Sequence, residues 1–544
     1  MGAASTDPAG KAPPPARGFR SLAVLPASFG SGLLLSLATP PWDLVPMSWL
    51  ALGILYLLLA EETPPPSRFR RATAGALRGL LFGAATNLVA LRFTVPVVSR
   101  YTPLPYWVGI VALAALSLEQ GLRFAVACAA TIQLARRGVP RWLAFAAGVY
   151  WSTFLPCVFP WTVAIGAVPV PAFLQLAEFM GERGVAFLMA LAAGLGAEGV
   201  LLLRAGRPRR RALALLGAAA AIPALTYVHG VVAIRRLEAE RAEARSARVA
   251  LLQPSIEATE RWDPAEAESV LARLGRLTRE AEGASPPPDL TVWTEGAYPY
   301  LVDARSRADV PGRRAIEQEG VRGPLLVGLM MRKGNAAYNS AVMVTGGHLS
   351  EPYSKMHLLV FGEYVPFGDT FPWLEEVFYR GTGLLRGAHQ VALEAGPIRA
   401  IALICYEDTL SYAVRDALRV RPNLLVNVTN DAWYTGSMES ELHLRLATPR
   451  SIEARRDMVR AVNLGQTTWV DAAGRVRGRY ASEAPGLLRA EPALLERETL
   501  YARAGDAPLV VIAILATLAF AVRRSGPAAR GAAAAPGSAA DRLG

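Results

Sequence analysis

The sequence predicts a two-part fold, a multi-span α-helical membrane domain followed by an extracytoplasmic α/β sandwich domain. Three observations predict it. Long apolar runs crowd the first 235 residues. Arginines and lysines collect in every second gap between those runs. From residue 246 to 493, short β-branched stretches alternate with helical ones. Composition agrees: 52% of the 544 residues are hydrophobic and 19% charged, with mean hydropathy +0.27, where soluble domains carry about 25% charge.

The apolar runs come first. A helix needs roughly 17–25 apolar residues to cross a bilayer. Runs near 20–38, 43–60, 75–97, 105–135, 141–159, 180–203 and 211–233 meet or approach that length, and an eighth covers 507–522. The predicted organisation is a disordered tail over 1–19, seven transmembrane helices over 20–235, a globular domain over 246–493, a C-terminal transmembrane helix over 507–524, and a disordered tail over 525–544. Basic residues test the count. Lys11, Arg17 and Arg20 precede the first run; Arg68, Arg70 and Arg71 follow the second; Arg136, Arg137 and Arg141 follow the fourth; Arg204 to Arg211 follow the sixth; Arg523 and Arg524 follow the eighth. The alternate gaps are poor in both. This alternation is the positive-inside pattern for eight spans with both termini cytoplasmic, and it puts the globular block outside. Glu119 and Arg123 sit four apart within the fourth run, where a helix lets them neutralise each other or line a lipid site.

In the globular block, strands are expected at 247–253, 290–293, 324–329, 341–345, 398–404 and 424–428. Helices are expected over Pro264–Glu282 and Pro449–Arg460, each opened by proline at its first position, with Asp263 and Thr448 as N-caps. Gly346-Gly347 and Ala473-Gly474 mark hairpin turns.

The net charge of +12 does not point to nucleic acid. Its arginines act as topology signals, and no basic–aromatic interleaving follows a groove. Three cysteines, Cys128, Cys157 and Cys405, have neither metal-ligand spacing nor the even count of a disulfide framework, and the five histidines are scattered. No metal, nucleotide or other cofactor is expected.

Three polar residues stand where predicted strands end: Glu295, Lys355 and Cys405. Strand ends in α/β folds converge on one crevice. Singly, each is an ordinary loop residue or buried thiol; together they supply a base, a cation and a nucleophile. A thiol is a weak nucleophile until deprotonated. A carboxylate can take that proton and return it to a leaving group, and a fixed ammonium can stabilise the tetrahedral oxyanion.

Trp293-Thr294-Glu295, Lys355-Met356-His357-Leu358 with Phe361-Gly362-Glu363-Tyr364, Cys405-Tyr406-Glu407 and Asn430-Asp431-Ala432-Trp433 resemble, in order and spacing, the signature blocks of the nitrilase (carbon–nitrogen hydrolase) superfamily. With seven spans before and one after, the chain resembles the apolipoprotein N-acyltransferase family within it; Phe159-Pro160-Trp161, Gln253 and Trp262 also match in place. The resemblance implies a nitrilase-like αββα sandwich. It implies Glu295 as general base, Lys355 as oxyanion stabiliser and Cys405 as nucleophile. Glu363 would hold Lys355 and share proton handling, Tyr406 and Glu407 would shape the pocket, and Trp161, Trp262, Asn430 and Trp433 would contact substrate. The implied partners are a phospholipid acyl donor, a diacylglyceryl apolipoprotein acceptor and membrane lipids. The implied place is the bacterial inner membrane, with the catalytic domain on the periplasmic side of a monomer.

The implied reaction is ping-pong, through a Cys405 thioester. Loops that exclude water are expected at 371–387 and 434–443. Val360, Leu442, Leu464 and Gln466 depart from the usual family residues and leave the acceptor open. A membrane-tethered amidase would use the same triad and hand the thioester to water. A paralogue would acylate another amine. A non-catalytic transporter or assembly factor would have no need of an intact triad.

Overall fold

The structure, a computed structural model, describes residues 18–60, 68–360, 362–365, 368, 370, 371 and 383–524. Residues 1–17 of the tail expected over 1–19, the tail expected over 525–544 and most of the expected loop at 371–387 lie outside the described residues, and residues 18 and 19 open the first helix.

The membrane part contains α1 (Gly18–Ser36), α2 (Met47–Ala60), α3 (Arg68–Ala90), α4 (Thr94–Tyr101), α5 (Tyr106–Arg136), α6 (Arg141–Ser152), α7 (Ala177–Arg204) and α8 (Arg209–Glu243). Among the described residues, α5, α7 and α8 are long and apolar enough to cross a membrane. The pair α3 and α4, bent by 56° at their junction, passes the same test when taken together; α1 and α2 contribute shorter apolar helices. The fifth expected run is helical only to Ser152, because Pro156 and Pro160 follow and the residues before proline leave the helical region. Polarity is inverted relative to a soluble bundle. Helix α5 exposes Trp107, Ile110, Val111, Leu118 and Leu122 and buries Gly109, Ser117, Gly121 and Cys128. Small residues let the backbones meet: a Cβ on Gly83 of α3 would lie 2.7 Å from the Gly121 Cα. Arg123 turns to the Ser152 carbonyl at 3.3 Å and to Cys157 Sγ at 3.4 Å.

The globular part is a two-sheet sandwich. Its strands are β1 (Val249–Gln253), β2 (Leu290–Val292), β3 (Val302–Asp303), β4 (Leu325–Lys333), β5 (Ala336–Thr345), β6 (His348–Leu349) and β7 (Tyr353–Ser354) in one sheet. β14 (Gly486–Ala490) joins that sheet beside β1, giving the order β14-β1-β2-β4-β5-β6. The other sheet runs β13 (Val476–Tyr480), β12 (Thr467–Val470), β11 (Met458–Asn463), β10 (Leu424–Asn430), β9 (Ile398–Ile404), β8 (Ala392–Ala395). Alternation sorts each strand's side chains. Val249 and Leu251 enter the core between the sheets with Ala400, Ala402 and Ile404. Ala250 and Leu252 face the outer layer under helix α9 (Ala267–Glu282) with Val270, Leu274 and Leu277. Ile401 and Leu403 face α10 (Ser411–Ala417) and α11 (Glu439–Ala454) through Val414, Leu444 and Ala447. The layers are therefore α, β, β, α, as the resemblance implies.

Two helix boundaries differ. Helix α9 starts at Ala267, not Pro264, because Asp263 first closes a turn, its Oδ1 accepting from Ala265 N at 2.9 Å. The helix expected over Pro449–Arg460 is α11, which begins at Glu439 and carries Pro449 inside it. Thr448 is mid-helix, donating to the Leu444 carbonyl at 2.7 Å, and 458–463 is strand β11. Proline there does not mark a helix start: burial of Leu444, Ala447 and Ile452 on both sides of it holds the helix through the lost hydrogen bond.

Buried ion pairs join the two parts. Arg455, at the end of α11, reaches Glu178 of α7 at 3.0 Å and donates to Gln175 Oε1 at 2.7 Å. Arg450 pairs with Glu182 of α7, and the Glu182 backbone N–H donates to Glu453 at 2.7 Å. The C-terminal helices α12 (Leu500–Ala504) and α13 (Ala507–Arg524) complete the chain; Tyr501 hydroxyl meets Ser411 at 2.7 Å.

Candidate active site

β1, β2 and β4 run parallel in one sheet, and β9, β10 and β11 in the other. Their carboxyl ends carry Glu295 just beyond β2 and Cys405 just beyond β9. Gly328 of β4 lets Glu295 approach: a Cβ there would strike the Thr294 carbonyl and sit 2.8 Å from the Glu295 Cα. Lys355 is reached from β7, its backbone N–H donating to the Asn339 carbonyl of β5 at 2.8 Å.

The side chains meet in a buried polar knot. Asn339 Nδ2 donates to Glu295 Oε1 at 2.7 Å and to Glu363 Oε1 at 3.3 Å. Lys355 Nζ lies 2.8 Å from Glu363 and 3.9 Å from Glu295. Glu363 also accepts from Leu359 N at 2.8 Å. Lys355 is 1% exposed, so its charge depends on these carboxylates. Glu363 first, then Cys405 and Glu295, hold its pKa above the ordinary lysine value against burial. Burial raises Glu295, opposed by the Lys355 ammonium. Burial with the Glu295 carboxylate raises the Cys405 thiol, and Lys355 opposes them. A thiol raised in this way needs a base beside it.

Cys405 has φ 56°, a left-handed conformation that non-glycine residues adopt at some cost. The neighbours fix it. Asn427 Nδ2 donates to the Cys405 carbonyl at 2.9 Å and to Leu403 O at 3.1 Å. Glu407 accepts from Ile404 N at 2.9 Å, from Met356 N and His357 N at 3.0 Å each, and from the Tyr353 hydroxyl. It thereby ties the lysine segment to the cysteine turn, while burial pushes its carboxyl up to about 7. The Tyr406 ring lies over Lys355 Nζ at 5.7 Å.

A cavity of about 910 Å³, counting its open mouth, runs from Cys405 into the membrane helices. Its catalytic end is lined by Cys405, Tyr406, Asp431, Tyr434, Glu439 and His443. Its far wall is Leu35, Ala38, Thr86, Ala90, Phe93 and Trp161. Trp161 is held by its Nε1–H donating to Asn87 Oδ1 at 3.2 Å. Asn430 and Trp433 stand outside that lining. Asn430 accepts from Asn463 at 2.9 Å and from Ala432 N at 3.2 Å; Trp433 packs edge-on against Tyr101 of α4 at 4.7 Å. The Trp262 side chain lies outside the described residues.

Two features escaped the sequence reading. Arg261 is placed where its guanidinium fills the space a Cβ on Gly296 would need, within the field of Glu295, Glu363 and Cys405. Asp408, His443 and Arg460 form a buried cluster below Cys405: His443 Nε2 lies 2.9 Å from Asp408, its Nδ1 3.5 Å from Asp431, and Arg460 pairs with Asp408. The aspartates push His443 up to about 10. Asp431, Glu439 and His443 bring ligand atoms within 4.8 Å of one another. A metal would need a histidine lone pair, and both ring nitrogens here face carboxylates.

Comparison with known proteins places these parts. The family model for the apolipoprotein N-acyltransferase N-terminal domain matches residues 31–195, and that for carbon–nitrogen hydrolase matches 248–494. An apolipoprotein N-acyltransferase of Geobacter metallireducens is 30% identical, covering 90% of this chain and 94% of its own length. Those of Brucella melitensis and Azotobacter vinelandii are each 30% identical, covering 85% and 90% of this chain and 88% and 93% of their own lengths.

Proposed function

This chain belongs to the apolipoprotein N-acyltransferase family, and from that premise we propose that it moves a fatty acyl chain from a membrane phospholipid, through a thioester on Cys405, to the α-amine of a diacylglyceryl-cysteine at a lipoprotein N-terminus. The observation that carries the reading is the cavity: one continuous space joins the Cys405 end to an apolar wall on α1 and α3. A small hydrophilic amide needs no such wall, which favours lipid over the amidase alternative.

In the proposed first half-reaction, Glu295 takes the Cys405 proton and the thiolate attacks the donor's ester carbonyl. The Lys355 ammonium holds the oxyanion. The carbon–oxygen bond breaks, and Glu295 returns the proton to the leaving lysophospholipid. In the second half, the acceptor amine attacks the thioester, the carbon–sulfur bond breaks, and a nitrogen proton passes through Glu295 to the departing thiolate. Trp161 supports this as part of the acyl wall; Asn430 and Trp433 support it by holding the 430–434 turn. The proposed setting is the inner membrane, with both termini cytoplasmic and the sandwich on the periplasmic face.

The test incubates detergent-purified protein with a fluorescent phospholipid and a diacylglyceryl-cysteine peptide, beside Cys405→Ser. Expected are peptide N-acylation by wild type alone and a hydroxylamine-sensitive acyl-enzyme when peptide is omitted. Free fatty acid without acylated peptide would replace this reading with hydrolysis.

A further inference from the structure

One carboxyl in the cavity has no assigned work. Glu439, the first residue of α11, lines the same space as Cys405. Its Oε2 is buried with no hydrogen-bond partner among the described residues. Its neighbours are otherwise balanced: His443 and Arg460 supply two cations, and Asp408 and Asp431 supply two carboxylates paired to them. Asp431 accepts further from Ser440. Glu439 is the third carboxyl against two cations, so its ionised form lacks a counter-charge among the described residues.

The geometry points to Glu439 as a subsite for a primary ammonium, brought into the cavity beside Cys405 by a substrate. This rests on the acyl-transfer reading and extends it. Two reactants of that chemistry carry a primary ammonium: the acceptor's α-amine, and the headgroup of an ethanolamine phospholipid.

The proton balance gives the subsite a role. An α-ammonium titrates near 7.7–8.0 and must lose a proton before it can attack. Burial, with Asp431 and Asp408 raising and His443 and Arg460 lowering, leaves the Glu439 carboxyl at about 8. An ammonium entering beside it displaces the carboxyl proton to solvent. The carboxylate so formed is placed to take a proton from the ammonium and free the amine next to the thioester. Aminolysis leaves an amide, a thiol on Cys405 and a carboxyl again on Glu439. The proton released on entry balances the charge of the ammonium.

The test separates the half-reactions in wild type, Glu439→Gln and Glu439→Asp. Acyl-enzyme formation is measured from phosphatidylglycerol and from phosphatidylethanolamine, and aminolysis of the isolated acyl-enzyme by a diacylglyceryl-cysteine peptide across pH 6–9. For an acceptor subsite, Glu439→Gln raises the peptide KM at least tenfold and flattens its pH dependence. Glu439→Asp recovers part of it, and the two donors stay equal. For a headgroup subsite, Glu439→Gln slows phosphatidylethanolamine relative to phosphatidylglycerol and leaves aminolysis alone. Equal behaviour of all three proteins in every arm, with unchanged thermal midpoints, overturns the inference. Absence of acyl-enzyme in wild type overturns instead the reading on which it rests.

Discussion

The Lys355 ammonium sits 2.8 Å from Glu363 and 3.9 Å from Glu295. The tighter contact goes to the carboxylate that does no proton transfer in the proposed reaction. Glu363 thus fixes the cation's position, and Glu295 stays less firmly bound and available as a base.

Glu363→Gln should therefore act through Lys355. Single-turnover acyl-enzyme formation is expected to slow about 10- to 100-fold, short of the roughly 10²–10³-fold cost of losing an oxyanion donor outright, which Lys355→Met should show. If the two variants slow formation equally, Glu363 itself takes part in the chemistry.

Burial raises Glu295 above its ordinary value of 4.5. A general base works only when deprotonated, so acyl-enzyme formation should rise with pH through that raised value and fall away on the acid side. A stopped-flow profile over pH 4.5–8 reads the step. Glu295→Gln should remove both the step and most of the rate; a profile unchanged by that variant would assign the base elsewhere.

His443 carries a pKa raised from 6.5 to about 10 by Asp408 and Asp431. Its charged form is favoured in the fold, so the stabilisation is fully present below pH 6.5 and is lost as pH rises through 10. His443→Gln, which breaks a buried pair, should cost about 3–5 kcal/mol at pH 6. The gap to wild type in denaturant midpoints should close between pH 6.5 and 10. A gap constant with pH would mean a neutral imidazole.

Ala90 is half-buried in the apolar wall of the cavity. Ala90→Phe should shorten the space for an acyl chain. Acyl-enzyme formation is expected to fall several-fold more for an 18-carbon donor than for a 12-carbon donor, in proportion to roughly 0.8 kcal/mol for each methylene left unburied. Equal losses would place the chain elsewhere.

Much of this was legible in the sequence where the signal is local. Strand ends at Val292 and Ile404 place Glu295 and Cys405, because strand pattern and block order lie within a few residues of them. The α/β sandwich follows from the same alternation, and its αββα layering from the resemblance of the signature blocks. What escaped depends on distance along the chain. The partners of His443, Asp408 and Asp431, lie on other elements. Arg261 is read from its fit over Gly296, and Pro449 looks like a helix start until tertiary burial carries α11 through it. The fifth apolar run failed for a local reason, Pro156 and Pro160, that hydropathy averages away.

The pairs of Arg450 with Glu182 and Arg455 with Glu178 are almost wholly sequestered, each arginine 1% exposed. Cutting the chain at residue 245 would remove the carboxylates of Glu178 and Glu182 and open this face to water, leaving Arg450 only Glu453 at 3.3 Å and Arg455 no ion partner from α7. The sandwich is thus no modular cassette. A chimera that swaps its anchor must import Gln175, Glu178 and Glu182 with it, so the hydrolase half and its helical mount are constrained to be inherited together.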